Sequence, residues 1–362
     1  MYDQVSTALS NQKLTQAAQL LKQWQRTKPQ DPWLKLATAN YWEAKDELEK
    51  AQVAYARILQ SASNSKVLRQ AREGVQRVRD QLARQREHEL QAAKHRDDIK
   101  GAAVLVLAPV VGEQRESAIQ GLAQVMELDL YTARMRLPSQ HWRLFRVGPA
   151  GEIQYFWEKL QTHGTPAQWL TIDQIKALPV FRVVQVQAFT PQLTVICQNA
   201  AGQKGTIALD WSEVNQWVMG QLPIFESVVD LSPWGKLKRK DATQDYIEVT
   251  DLHLQERRCI LRFCEGNYSY RYSPAIPNQP QLSSGNLVAA TYWKNMKGLF
   301  QQYLPAPDRD FSGFGQGALD YMDLLPQFDH YLDLSRRQPT PWDGTFHLYS
   351  CLRFLALDQS PA

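Results

Sequence analysis

Apolar positions in the first hundred residues recur at three- and four-residue spacing, the period of a helix with one buried face. Ala17, Leu21 and Trp24 form one such set, and Ala51, Tyr55 and Ile58 repeat it 34 residues later. A repeat of this length predicts stacked helix pairs. The small alanine suits the closest approach of two helices, and the large residues four and seven further on share its face. Pro29 ends the first copy. In the second, Pro32 to Glu47 reads as one helix and Glu49 to Gln60 as its partner, with Ser61, Ser63 and Asn64 as turn material. From Ser65 to Asp98 no proline intervenes, and Val67, Ala71, Val75, Val78 and Leu82 make one narrow apolar stripe. This long helix is expected to cap the repeat, because stacked pairs cannot cover their own outer face. Beyond Leu82 it turns polar and should run on as a solvated connector.

The pattern then changes. Ala102 to Ala108 is a continuous apolar run stopped by Pro109, as in a strand buried on both faces. Ile119, Leu122, Ala123 and Met126 predict an amphipathic helix, and Leu130 to Leu137 a second short one. His141 to Val147 reads as a strand, Ile153 to Thr162 as a helix and Phe181 to Phe189 as a strand, giving the order β-α-α-β-α-β. Alternation at Leu193 to Cys197 and Gly205 to Leu209 predicts a hairpin. Asp210 and Glu213 have capping-box spacing, which predicts a helix carrying Val214, Trp217 and Val218 on one face and ending at Gly220. Strands are expected over Tyr246 to Leu254, Cys259 to Glu265 and Tyr268 to Tyr272, the last two joined by Gly266-Asn267. Tyr292 to Tyr303 and Ala318 to Leu325 read as helices, and Trp342 to Leu357 is apolar enough to dock on a core.

The predicted architecture is therefore multidomain α+β. Helical hairpins and a long basic helix occupy 1–100, a small α/β domain 101–189, a mainly antiparallel β-rich domain with a helix 190–304, and a helical extension 305–362. With 362 residues and 44% hydrophobic content the chain can bury several cores, which excludes a disordered or disulfide-stapled class. The longest apolar run, Ala102 to Val111, is half of the roughly 20 residues a membrane-crossing helix needs. The start, MYDQVSTALSNQK, lacks the basic-then-apolar order of a secretory signal, so a cytoplasmic location is expected. Cys197, Cys259, Cys264 and Cys351 form no Cys-x-x-Cys and read as small buried hydrophobes.

A net charge of +4 is too small for a general binder of polyanions. The excess sits between Lys66 and Lys100, where ten Lys and Arg face six Asp and Glu. A second cluster, Lys236, Lys238, Arg239 and Lys240 beside Trp234, is dense enough to meet phosphate groups, so it is the candidate anion-binding segment for RNA or anionic lipid headgroups. No nucleophile elbow, zinc motif or calcium loop occurs. Gly313 to Gly317 looks like a nucleotide loop, but Asp310-Phe-Ser precedes it where a strand should, so it reads as a flexible lead-in to the helix at Ala318, and no cofactor or metal is expected. Asp251 and His253 would share one face of a strand, as an acid–base pair requires. Nothing nearby supplies a nucleophile or an oxyanion site, so a non-enzymatic role is expected.

The 34-residue register at Ala17, Leu21 and Trp24 against Ala51, Tyr55 and Ile58 resembles the tetratricopeptide repeat. The match covers about 60 residues in two copies, and it departs from the family at Thr38 and Ala39, where the pattern usually has a bulky residue and a glycine. The resemblance implies protein binding through a groove, with inner-face positions at Trp33, Leu36, Asn40 and Glu43. Asn40 matches one element of the family's carboxylate-binding arrangement, whereas Leu36 stands where a lysine would. The segments Leu222 to Leu231, Gly235 to Tyr246 and Asp251 to Cys264 are similar to tetratricopeptide-containing proteins of cyanobacteria, which implies a photosynthetic bacterial host and no assigned activity. The leading expectation is a non-enzymatic adaptor or scaffold with a protein partner. A basic-patch binder of RNA or anionic lipid and an enzyme built on Asp251 and His253 are the alternatives.

Overall fold

The computed structural model describes residues 1–96, 98–231, 237–277, 289–332, 334 and 340–358, without the side chains of 226–231, 237–242, 244, 357 and 358. Helices come first, and sheets with C-terminal helices follow. The chain separates into two compact units, Met1–His95 and Arg96–Ala362.

The first unit holds α1 (Tyr2–Ser10), α2 (Leu14–Thr27), α3 (Pro32–Ala44), α4 (Leu48–Ser61) and α5 (Ser65–Lys94). Asp31 starts α3 by accepting a hydrogen bond from Trp33 N (3.0 Å), with Pro32 in the first turn, where a missing N–H does no harm. Asn64 starts α5 in the same way, accepting from Lys66 N and Val67 N. All six residues of the 34-residue register are buried, three on α2 and three on α4. The α5 stripe packs as its spacing predicts: Val67, Ala71 and Val78 are buried, Val75 and Leu82 partly so. Gly74 lets α5 lie against the Tyr55 ring, since a Cβ there would stand 2.5 Å from it.

The second unit contains two sheets. The smaller has the order β2-β1-β3, built from β1 (Ala102–Leu107), β2 (Arg143–Pro149) and β3 (Ala167–Thr171), with all neighbours antiparallel. Here α6 (Gln114–Met126) and α7 (Leu130–Arg136) connect β1 to β2, and α8 (Ala150–Thr162) connects β2 to β3. After α9 (Ile172–Ala177) come β4 (Val180–Ala188), β5 (Leu193–Gln198), β6 (Lys204–Leu209), β7 (Gln216–Leu231), β8 (Leu237–Leu254) and β9 (Cys259–Cys264), in the order β6-β5-β4-β9-β8-β7. Only the β4–β9 pair is parallel among these. The helices α10 (Ala289–Tyr303), α11 (Phe311–Ala318) and α12 (Pro341–Asp358) complete the unit. One core joins Trp217, Leu252 and Phe263 to Trp293 and Phe300 of α10, and the other joins Val218, Val249 and Ile260 to Phe346 and Tyr349 of α12.

Four expectations are corrected. The helix expected after Asp210 is one 3-10 turn, Trp211–Glu213, whose Glu213 carboxylate does accept from Asp210 N (2.8 Å). Val214 follows that turn, and Trp217 and Val218 lie in β7, facing Leu252 and Asp251 of β8. Both faces of β7 are buried there, so a two-residue period reads as an unbroken apolar run that sequence cannot tell from a helix. Gly220 is no helix stop: its missing Cβ makes room for Phe346 and Phe311, 2.6 and 2.7 Å away. Tyr268 to Tyr272 forms no strand. Its first tyrosine turns inward, and the Tyr268 hydroxyl accepts from Val186 N (3.1 Å) and Ser273 Oγ (2.8 Å). The β-α-α-β-α-β order gains the unforeseen β3, while the Phe181 to Phe189 strand, β4, belongs to the larger sheet. Finally, Gly313, Gly315 and Gly317 lie within α11, where Gly315 admits the Trp342 ring, 2.3 Å from its would-be Cβ.

Candidate functional site

The four groove positions begin at the start of α3. The Asp31 cap fixes Trp33, and its half-buried ring meets Tyr2 edge-on at 4.8 Å between centroids. These two rings and Trp24 line a recess of about 480 Å³ whose rim carries Asp3, Lys28 and Asp31. One turn on, Leu36 has no exposed surface and packs with Leu48, Tyr55 and Val67. A further turn on, the side chains of Asn40 and Glu43 meet Tyr55 from α4. The Tyr55 hydroxyl donates to the Glu43 carboxylate and lies 2.6 Å from Asn40 Oδ1. Arg77 of α5 holds Glu43 from the other side with two bonds, Nε to Oε1 at 2.8 Å and Nη2 to Oε2 at 3.0 Å. Tyr2 closes the chain by donating to Gln70 (3.1 Å). Burial first, and the Glu43 carboxylate second, hold the Tyr55 phenol far above its usual range. Trp33 thus faces a recess, while Leu36, Asn40 and Glu43 bind α3 to α4 and α5. Sequence reading placed Tyr55 in a core and singled out neither Tyr2 nor Arg77; a tyrosine four residues beyond a packing alanine carries no mark of its hydroxyl's partner.

The anion-binding segment divides. Trp234 and Lys236 lie outside the described residues. Lys238, Arg239 and Lys240 belong to β8 and pair in register with Asp230, Val229 and Val228 of β7.

Asp251 and His253 do share one face of β8, and that face is sealed by α12. Asp251 lies directly across from Arg262 on β9, and both side chains have no exposed surface. Arg262 donates from Nε (2.8 Å) and Nη2 (2.6 Å) to the carboxylate, and from Nη1 to the His330 carbonyl (2.6 Å). The same Nη1 is 3.3 Å from His347 Nδ1. A guanidinium only donates, so Nδ1 accepts and the neutral His347 carries its hydrogen on Nε2; Cys351 Sγ lies beside the ring, 3.9 Å from Nδ1 and 3.6 Å from Nε2. Burial, and then Arg262, keep its pKa well below the usual histidine value. His253 Nε2 meets Ser350 Oγ at 3.0 Å, and its Nδ1 has no partner among the described residues. Burial lowers its pKa to about 4 against the opposing pull of Asp251. The arrangement is a closed polar centre with no surface for a substrate. Arg262 had a legible signal, a single cation inside the otherwise apolar Cys259 to Cys264.

The four cysteines are free and buried, and burial pushes Cys351 up to about 12. No group of three His, Cys, Asp or Glu among the described residues could hold a metal ion. No protein-family model, curated protein or solved structure matches this chain. No helix among the described residues is long and apolar enough to cross a membrane.

Proposed function

We propose that the chain is a non-enzymatic adaptor whose N-terminal unit, of tetratricopeptide type, holds a segment of another protein at the Trp33 recess. The observation that carries this reading is the recess itself. Trp24, Trp33 and Tyr2 wall it, and tryptophan and tyrosine are the residues that most often concentrate binding energy at protein interfaces. The repeat assignment is supported by the 34-residue register, whose six positions are equivalently buried on α2 and α4. In this reading Trp33 touches the partner. Leu36, Asn40 and Glu43 keep α3 rigid, which lowers the entropy lost on binding.

The test uses the full chain and its Trp33→Ala variant as bait in extracts of the native host, followed by affinity measurement on the protein that co-purifies. Loss of about tenfold or more in affinity, with helix content unchanged, is expected for a central tryptophan. Equal recovery and equal affinity with both baits would remove this face from consideration.

A further inference from the structure

A second cavity, of about 920 Å³, opens in the C-terminal unit between the β7–β8 pair, α10 and α11. Its volume falls in the range that encloses a small organic ligand, roughly 300–1,000 Å³. One wall is apolar: Met219, Pro223, Phe225, Phe311 and Trp342 line it, and Phe225 and Tyr246 are large aromatic side chains left exposed. The polar face of α10 also lines the cavity. Lys294, Lys297, Gly298 and Gln301 follow helical spacing on that face, while Trp293, Met296 and Phe300 turn into the core.

The charges are unequal. Lys297 is ion-paired with Glu248 across the cavity wall. Lys294 and Arg309 are exposed and form no ion pair among the described residues. The backbone beside Arg309 is fixed at Asp308: Asp308 N donates to Trp217 O (2.9 Å), Met219 N donates to Asp308 O (2.8 Å), and Tyr349 donates to the Asp308 carboxylate (2.7 Å). The second oxygen of Glu248, Oε1, is buried without a partner among the described residues.

Gly298 supplies an independent observation. A glycine inside a helix lowers its stability, and such a residue usually marks a close approach. Here a Cβ would meet nothing within 4 Å. Among the described residues no neighbour requires the glycine, and a side chain there would enter the cavity that Gly298 lines.

We infer that this cavity binds a small amphipathic organic anion, with an aromatic or other flat apolar body against Phe225 and Trp342 and its acidic group at Lys294 and Arg309. A purely apolar ligand would leave the two cations unused, and a bare inorganic anion would leave the aromatic wall unused.

The experiment titrates the full chain with 8-anilinonaphthalene-1-sulfonate and, separately, with N-phenyl-1-naphthylamine, which has the same ring body and no acidic group. Saturable binding of the sulfonate is expected. Lys294→Gln with Arg309→Gln should weaken it about three- to tenfold, the size of two exposed ion pairs, and should change binding of the neutral probe less than about twofold. Gly298→Leu, which fills the space from a tolerated helix position, should weaken both probes by about tenfold or more. 1-Naphthyl phosphate should displace the sulfonate where inorganic phosphate at the same concentration does not. Unchanged binding in Gly298→Leu overturns the location, and the charge-neutral pair, which alters only exposed side chains, still tests the chemistry should that variant fold poorly. Equal response of the two probes to the charge-neutral variant, or equal displacement by both phosphates, overturns the ligand class.

Discussion

Replacing Arg262 with methionine removes the partner of a carboxylate that has no exposed surface. Two outcomes are open to Asp251, and both can be sized. If it stays ionised, it loses an attraction worth about 4 kcal/mol for charge centres roughly 4 Å apart at an effective dielectric near 20. If it takes a proton instead, a carboxyl with an ordinary pKa near 3.9 costs about 4 kcal/mol to protonate at pH 7. Either way the expected loss is about 4 kcal/mol, inside the roughly 3–5 kcal/mol seen when one member of a buried pair is removed. The His330 carbonyl and His347 Nδ1 also lose their donor.

Urea denaturation followed by tryptophan fluorescence, on wild type and variant at pH 7 and pH 5, separates the two outcomes. In the protonated case the folded variant carries a proton that the unfolded chain lacks, so the deficit shrinks as pH falls. The change is about 1.4 kcal/mol per unit, which leaves about 1.5 kcal/mol at pH 5. The double variant Asp251→Leu with Arg262→Met, which leaves no charge behind, should recover more than half of the loss. A deficit below about 1 kcal/mol at pH 7 would refute the reasoning. A double variant no more stable than the single one would do the same.

His253 predicts a second pH effect of opposite sign in the wild type. Its folded pKa of about 4 lies below the unfolded value near 6.5. The unfolded chain therefore binds the proton first, and stability present above pH 6.5 is lost on the way down to pH 4, by about 3 kcal/mol in all; a His253→Gln chain with the same slope would contradict this. Two glycine-to-alanine changes should differ in sign. Gly74→Ala drives a methyl into the pinned Tyr55 ring, and overpacking of about 1–3 kcal/mol outweighs the roughly 1 kcal/mol gained in helix propensity, so a raised melting temperature would refute it. Gly298→Ala meets nothing and should gain up to about 1 kcal/mol, and a lowered melting temperature would show that the space is not empty.

The residues by themselves determined the helical first hundred positions, because amphipathic spacing, capping residues and prolines act within one or two turns of the chain. The structure adds caps at Asp31 and Asn64, and the buried positions of α2, α4 and α5 follow the three-and-four period. The glycines of α11 and the run from Val214 to Val218 were misread for one reason: their conformation is set by what packs on them. Trp342 settles the first, and two cores pressing on opposite faces of β7 settle the second.

Only the tertiary structure decided which polar residues meet. Asp251 and His253 are two apart in sequence and look like an exposed pair; the pairing of β8 with β9 supplies Arg262, and α12 closes over all three. Asn40 and Glu43 look like groove residues until Tyr55 and Arg77 arrive from 12 to 34 positions further along the chain. Local spacing sets a residue's face, but the free energy of a charge or a hydroxyl depends on what lies across from it, and that neighbour is chosen by the fold.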